Sequence, residues 1–209
     1  MARKFVSEAV ISRLFIYLRE LSELTKVNIN TISSAELGER ANLNDALVRK
    51  DLGYFGQFGV SGSGYNTREL RRALEKILGK DKIWNVAVAG CGHLGMALLA
   101  YPGFKEHGLK LVAAFDSDPE KIGKRIEGIS VRPIGQMSKI IAGKDVSIGI
   151  VAVPQKAAQD VAVKLVESGI KCILNFAPVS LDVPDDVKVK DVDLSRELET
   201  LSYFLANPR

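Results

Sequence analysis

Val86 to Ala89 are four apolar residues without a charge. The next six, Gly90, Cys91, Gly92, His93, Leu94 and Gly95, space their glycines as G-x-G-x-x-G ahead of the helix formers Met96, Ala97, Leu98 and Leu99. An uncharged run of that kind suits a strand buried on both faces of a parallel sheet. Strand, glycine turn and helix in that order constrain the fold more than any other stretch. The first glycine permits the sharp turn, the second lets a pyrophosphate approach bare backbone, and the third lets the helix pack on the strand. The helix N-terminus then offers unpaired N–H groups and a partial positive charge to phosphates.

A second strand, Leu111 to Phe115, ends at Asp116, 26 residues beyond Gly90, somewhat past the usual offset of about 20. A carboxylate there accepts hydrogen bonds from a ribose 2′-OH and repels a 2′-phosphate, which favours NAD over NADP. Lys121, Lys124 and Arg125 pull the other way, since cations accept a phosphate. A turn that binds nothing, or one that binds another nucleotide such as coenzyme A, is the alternative. The flanking strand and helix place dinucleotide binding ahead of both.

Downstream, helices are expected over Ser138 to Ala142 and Ala157 to Ser168, and strands over Val146 to Val153 and Cys172 to Phe176. Strands alternating with helices imply an α/β, doubly wound, Rossmann-type parallel sheet. Ligands in such sheets sit at the carboxyl ends of the strands. Here those ends are the turn at Gly90, Asp116, the Val153-Pro154 corner and the loop Asn175-Phe176-Ala177-Pro178. The tail from Asp193 to Pro208 reads as an amphipathic helix capped by Asp193, with Leu194, Leu198, Leu201 and Leu205 on one stripe beside Tyr203 and Phe204. That stripe packs either on its own sheet or into a second subunit.

The net charge of +4 is unevenly placed: residues 1–82 carry 14 Lys or Arg and 10 Asp or Glu, whereas residues 83–209 carry 15 of each. A basic segment beside a neutral one points to an anionic partner for the first alone. Ser7 to Lys26 has the apolar spacing of a helix with one buried stripe, and Val27 to Ile32 reads as a connection with room for a strand. Ser33-Ser34-Ala35-Glu36 fits a capping box opening a short helix through Ala41. After the turn Asn42-Leu43-Asn44, Asp45 starts another helix, in which Val48, Leu52 and Phe55 share one face. Arg49, Lys50, Gly53 and Tyr54 fall on the other. Two helices joined by a short turn, the second with cations and an aromatic on its free face, describe a helix-turn-helix whose recognition helix enters a major groove. Arg49 suits a bidentate contact to guanine O6 and N7. Taken alone, those cations would read as a solvated helix face. Gln57 to Asn66 follows as a β-hairpin wing, with Phe58, Val60 and Tyr65 around a Ser-Gly tip, and supports the DNA reading. A helix from Thr67 to Leu78 ends at Gly79, and the domain boundary falls at Lys80 to Lys82.

Hydrophobic residues are 46% and charged residues 26% of the chain, ordinary for a globular protein. No apolar run reaches membrane-spanning length, and Arg3 and Lys4 lead into Glu8 and a helical pattern. Neither membrane association nor a signal peptide is expected, and the cytoplasm is the expected location. Cys91 and Cys172 lack metal-ligand spacing and read as structural thiols in a reducing compartment, with a disulfide or thiol switch as the alternative; no metal site is expected. His93 and His107 are the two histidines. Neither comes with catalytic machinery, so the rival reading, a small NAD-dependent dehydrogenase, lacks a proton donor and a substrate pocket.

Taken together, Leu47-Val48-Arg49-Lys50-Asp51-Leu52, Tyr54-Phe55-Gly56, Gly64-Tyr65-Asn66, the glycine turn, Tyr101-Pro102-Gly103-Phe104, Phe115-Asp116-Ser117-Asp118-Pro119 and Ile173-Leu174-Asn175-Phe176-Ala177-Pro178 resemble the Rex family of bacterial redox-sensing repressors, in the same order and nearly end to end. The resemblance implies a homodimer with an N-terminal winged-helix domain (1–82), a Rossmann NAD(H)-binding domain (83–190) and a C-terminal dimerisation helix (191–209) exchanged between subunits. It further implies an inverted-repeat double-stranded operator, bound by the free or NAD⁺-bound protein and released by NADH, and no enzymatic role. Carried over, Arg49, Lys50 and Tyr54 read as operator contacts, with Ser34 and Gly53 beside them. Gly90 to Gly95 becomes the pyrophosphate loop, Asp116 the ribose partner, and Val153 and Ala177 line the same cofactor site. Tyr101 and Asp193 become the pair near the nicotinamide, with Arg19 as the group on the first helix that Asp193 or its neighbours engage when the dimer changes state. Two positions depart from the family: the wing tip Ser61-Gly62-Ser63 lacks a Lys or Arg, and Leu194 stands where some relatives carry an aromatic.

Overall fold

The computed structural model describes residues 6–60 and 63–208. The chain divides into two compact units between Lys82 and Ile83. Two positions of the wing tip, Ser61 and Gly62, lie outside the described residues.

The first unit opens with α1 (Glu8–Lys26), whose buried stripe is Val10, Leu14, Tyr17, Leu18, Leu21 and Leu24. Strand β1 (Thr31–Ile32) leads into α2 (Ser34–Ala41), and the capping box forms as its sequence requires: Ser33 Oγ accepts from the Glu36 N–H, and the Glu36 carboxylate accepts from the Ser33 N–H. Asn42 ends α2 in the left-handed conformation, and α3 (Asp45–Gly53) follows with Asn44 as its cap. A Cβ at Gly38 would stand 2.7 Å from the Leu43 carbonyl, so the missing side chain is what lets the turn fold back on α2. Strands β2 (Gly59–Val60) and β3 (Gly64–Asn66) pair antiparallel, and β1 joins β3 on its other edge. The wing is therefore present, and its sheet is completed by the connection before α2. Asn66 then caps α4 (Thr67–Ile77). The core of this unit gathers Leu14, Tyr17, Leu21, Leu37, Val48, Leu52, Leu70 and Leu74.

The second unit runs β4 (Trp84–Ala89), α5 (His93–Ala100), α6 (Gly103–Glu106), β5 (Leu109–Asp116), β6 (Arg125–Ile126), β7 (Ile129–Pro133), α7 (Met137–Gly143), β8 (Val146–Val151), α8 (Gln155–Glu167), β9 (Cys172–Asn175), β10 (Lys188–Asp191) and α9 (Leu194–Ala206). Its seven strands lie in the order β10-β9-β8-β4-β5-β7-β6. All neighbours are parallel except β6, which pairs antiparallel with β7. The sheet is Rossmann-type, as its sequence pattern predicts, with one correction: it is not wholly parallel. Strands β6, β7 and β10 escape the hydrophobic pattern because they are short or charged, Arg-Ile and Lys-Val-Lys-Asp being typical of sheet margins. The chain runs outward from β4 through β5 to β7 and then returns to β8 on the other side of β4. The carboxyl ends of β4 and β8 thus form the crevice where such sheets bind ligands.

Helix α9 keeps none of its residues buried. Leu198 is 68% and Leu205 83% exposed, and Leu194, Leu201, Tyr203 and Phe204 are also open. Its apolar stripe is not covered by its own sheet. Among the described residues, no helix is long and apolar enough to cross a membrane.

Candidate functional site

Each unit carries one candidate site. In the first, α3 shows two faces of opposite character: Val48, Asp51 and Leu52 are buried, whereas Arg49, Lys50, Gly53 and Tyr54 are exposed. A Cβ at Gly53 would meet nothing within 4 Å, so the space beside it is open to a partner's approach. Arg49 is not idle on this face. Its Nη1 donates to Asp45 Oδ2 at 2.6 Å and to Ser34 Oγ at 2.9 Å, which ties α3 to the start of α2 through two residues expected at the DNA face. A groove of about 760 Å³ runs from Ser33, Ser34, Arg49 and Gly53 to Phe58, Gly59 and Tyr65 of the wing.

Sequence reasoning missed what holds α3 in place. Asp51 is 1% exposed on the inner face. Arg13 Nε and Nη2 donate to its two carboxylate oxygens at 2.6 and 2.8 Å, and the Tyr17 hydroxyl donates to Oδ2 at 2.9 Å. Burial, followed by the hydrogen bond to Asp51, pushes the Tyr17 hydroxyl far above its ordinary pKa, so it stays protonated and donating. Asp51 sits on the same stripe as Val48 and Leu52, and a carboxylate on an apolar stripe requires partners. That position was the available signal, with Arg13 and Tyr17 one turn apart on α1 to answer it.

In the second unit Gly90 and Gly95 pack as the motif predicts, and Gly92 is left open. Gly90 has φ +97, and a Cβ there would strike the Ala152 carbonyl oxygen at 2.3 Å and Val153 Cγ1 at 2.7 Å, so the turn is pressed against the end of β8. A Cβ at Gly95 would lie 1.8 Å from the Gly90 carbonyl oxygen, which locks α5 onto the turn. At Gly92 it would meet nothing within 4 Å. Gly92 is also the N-cap of α5, where no side chain caps the helix and no acid sits in the first turn. Open backbone before an uncapped helix N-terminus is what a pyrophosphate requires, and the dinucleotide fits here. His93 and Leu94 begin α5, exposed beside that opening.

Asp116 ends β5 at this turn. Its Oδ2 accepts from the Cys91 N–H at 2.7 Å and from Lys121 Nζ at 3.3 Å, and its Oδ1 accepts from the Asp118 N–H at 2.9 Å. Burial alone would raise its pKa. The Asp118 and Cys91 N–H groups and the Lys121 ammonium outweigh that and hold it below the ordinary value. Asp116 therefore braces the glycine loop as a carboxylate, a task its sequence position did not reveal. Cys91 is buried, and burial, then Asp116, pushes its thiol up to about 11, so it stays protonated at neutral pH; Cys172 is exposed.

Ala177 lies at the end of β9, in a loop organised by fully buried Asn175. Asn175 Oδ1 accepts from the Ala177 N–H, and its Nδ2 donates to the Val179 carbonyl and to Asp191. Tyr101 is 58% exposed, its ring edge-on to Phe104 at 5.1 Å, and the absent side chain of Gly103 leaves room for that ring. Asp193 caps α9, accepting from the Ser195 and Arg196 N–H groups. Arg19 donates to Glu20 at 3.3 Å. Among the described residues no hydrogen bond joins Tyr101 to Asp193 within the single chain. A separate concavity of about 920 Å³ lies between β5, β7 and α7, lined by Lys110, Arg132, Lys139 and Lys144 among others, and includes neither the glycine turn nor Asp116.

Two family models match: "Putative DNA-binding protein N-terminus" over residues 5–53 and "CoA binding domain" over residues 81–179. The chain is 49% identical over 201 residues to a protein of Desulforamulus reducens named redox-sensing transcriptional repressor Rex, covering 96% of each chain. It is 49% identical over 198 residues to the protein of the same name from Carboxydothermus hydrogenoformans, covering 95% of each. Among solved structures it resembles RSP, a Rex-family repressor, in complex with β-NAD⁺ and operator DNA: TM-score 0.91, 43% identity, 97% of this chain and 93% of that one. The complex of RSP with β-NADH matches with TM-score 0.83, 42% identity, and 97% and 95% coverage.

Proposed function

The chain belongs to the Rex family of redox-sensing transcriptional repressors, and on that footing we propose that it represses transcription according to the NADH/NAD⁺ ratio. It binds double-stranded operator DNA when free or NAD⁺-bound, and releases it when NADH is bound. The observation that carries this reading is the likeness, over nearly the whole chain, to one repressor crystallised both with NAD⁺ and operator DNA and with NADH. The relatives are named repressors; here too the dinucleotide is a signal and no reaction is catalysed.

The residues divide as the two candidate sites suggest. Arg49, Lys50, Gly53 and Tyr54, with Ser34 beside them, face the major groove and its flanking phosphates. The uncapped start of α5 and the bare backbone at Gly92 receive the pyrophosphate, with Gly90, Cys91, His93, Leu94 and Gly95 forming the loop. Asp116 holds that loop and faces the adenosine ribose. Val153, Ala177 and Tyr101 line the remaining strand ends toward the nicotinamide. The bare stripe of α9 packs into a second copy of the chain, which makes the protein a homodimer, and Arg19 and Asp193 engage one another when the dimer changes state.

NADH differs from NAD⁺ by a hydride and by loss of the ring's positive charge. A pocket that prefers the reduced ring in one arrangement of the dimer shifts the population toward that arrangement. The two recognition helices must stand about one DNA turn apart, or a multiple, to read both half-sites. A dimer shifted out of that spacing lets go. Electrophoretic mobility shifts at fixed salt, with NAD⁺, NADH and no cofactor, test the proposal. Retained operator binding in the first and third and loss in the second is expected; equal retention in all three would overturn it.

A further inference from the structure

Arg49 carries five N–H donors in a rigid plane. Both acceptors of its Nη1, Asp45 Oδ2 and Ser34 Oγ, come from helix starts, one from α3 itself and the other from α2. An exposed i,i+4 ion pair alone contributes little to stability. Convergence of a second tether, 15 residues earlier and on a different helix, makes this an arrangement that sets direction. With Nη1 occupied, Nε and Nη2 have no hydrogen-bond partner among the described residues, and they lie along one edge of the guanidinium. That edge is a two-pronged fork of the kind that meets guanine O6 and N7.

We propose that Asp45 is a positioning residue for base discrimination: with Ser34 it clamps Nη1 of Arg49 so that the guanidinium meets DNA by its Nε/Nη2 edge. The inference rests on the DNA-binding reading above and deepens it. Asp45 acts in a second way. Its carboxylate, held below its ordinary pKa by the Arg49 hydrogen bond, keeps its negative charge beside the phosphates and weakens sequence-independent binding. Both effects favour the correct sequence over the rest.

The test uses the full-length protein and an operator selected with it from a pool of random duplexes. Fluorescence anisotropy at one salt concentration measures affinity for that operator, for a random duplex of the same length, and for operators with each half-site guanine replaced in turn. Asp45→Ala is expected to strengthen binding to the random duplex. It should also lower the operator-to-random ratio by about 5-fold or more, part of the roughly 5- to 150-fold that a bidentate base contact supplies. The penalty for replacing one particular guanine should shrink. Ser34→Ala should shrink the same penalty without strengthening random binding, and Asp45→Glu should restore much of the ratio. In an Arg49→Ala background, Asp45→Ala should no longer change the guanine penalty. An unchanged ratio in Asp45→Ala, or equal weakening on both DNAs with a lower melting temperature, would overturn the inference and reduce Asp45 to a support of the helix start. Wild-type operator affinity in Arg49→Ala would instead bring down the DNA reading beneath it.

Discussion

Helix α3 and the glycine turn are both held rigidly, by opposite means. Helix α3 is anchored by side chains: Arg13 and Tyr17 of α1 close on Asp51, and the outer face is left exposed. The glycine turn is anchored by their absence, since backbone packs on backbone at Gly90 and Gly95 and stays bare at Gly92. Buried charge fixes one site and missing Cβ atoms fix the other. A polar anchor can be weakened by degrees, whereas a side chain at Gly95, whose Cβ would stand 1.8 Å from the Gly90 carbonyl oxygen, cannot be fitted at all.

The largest expected effect follows from that contrast. Gly95→Val should prevent the second unit from folding, seen as loss of its melting transition. Gly92→Val, with no neighbour to strike and an extended backbone, should melt like the wild type yet lose about 3 kcal/mol or more of NADH affinity through overpacking against the pyrophosphate. Matching melts for the two variants would break the comparison. Next, Asp51→Ala strands the Arg13 guanidinium and the Tyr17 hydroxyl, and should lower the stability of the first unit by about 3 kcal/mol. Calorimetry that finds a loss under about 1 kcal/mol would make the network incidental. NADH affinity should be unmoved.

The smallest effect concerns Asp116, where the glycine turn does use one side chain. Its folded pKa lies below the ordinary 3.8, so its contribution to stability is complete above that value and is lost as the pH falls through the lower folded value. Asp116→Asn should therefore lower the second unit's melting point at pH 7, by the equivalent of about 1 kcal/mol. The gap between variant and wild type should close in strong acid. A gap that widens on acidification would show the sign to be wrong.

The same contrast explains what the sequence disclosed. Three glycines within six residues are a local signal, and the strand and helix beside them are set by neighbouring residues, so the turn was legible down to the packing of Gly90 and Gly95. The exposed face of α3 was legible for the same reason. The polar braces join residues far apart in sequence: Arg13 to Asp51 spans 38 positions, Asp116 to Cys91 25, and Asn175 to Asp191 16. Periodicity carries no information about such pairs. The edge strands β6 and β10 were missed because margins of a sheet are polar and short. Asp116 shows how one position can hold more than its pattern discloses: a carboxylate at that strand end suggests a ribose partner, while its Oδ2 also accepts from the Cys91 N–H of the glycine turn.

Linkage between the two units is the central claim, and reciprocity tests it most directly. NADH affinity is measured by fluorescence titration of the full-length protein, first alone and then saturated with operator, in the same buffer and salt. The factor by which operator weakens NADH must equal the factor by which NADH weakens operator. Matched factors, each well above one, are the expected result. NADH affinity that is identical with and without operator would contradict the account.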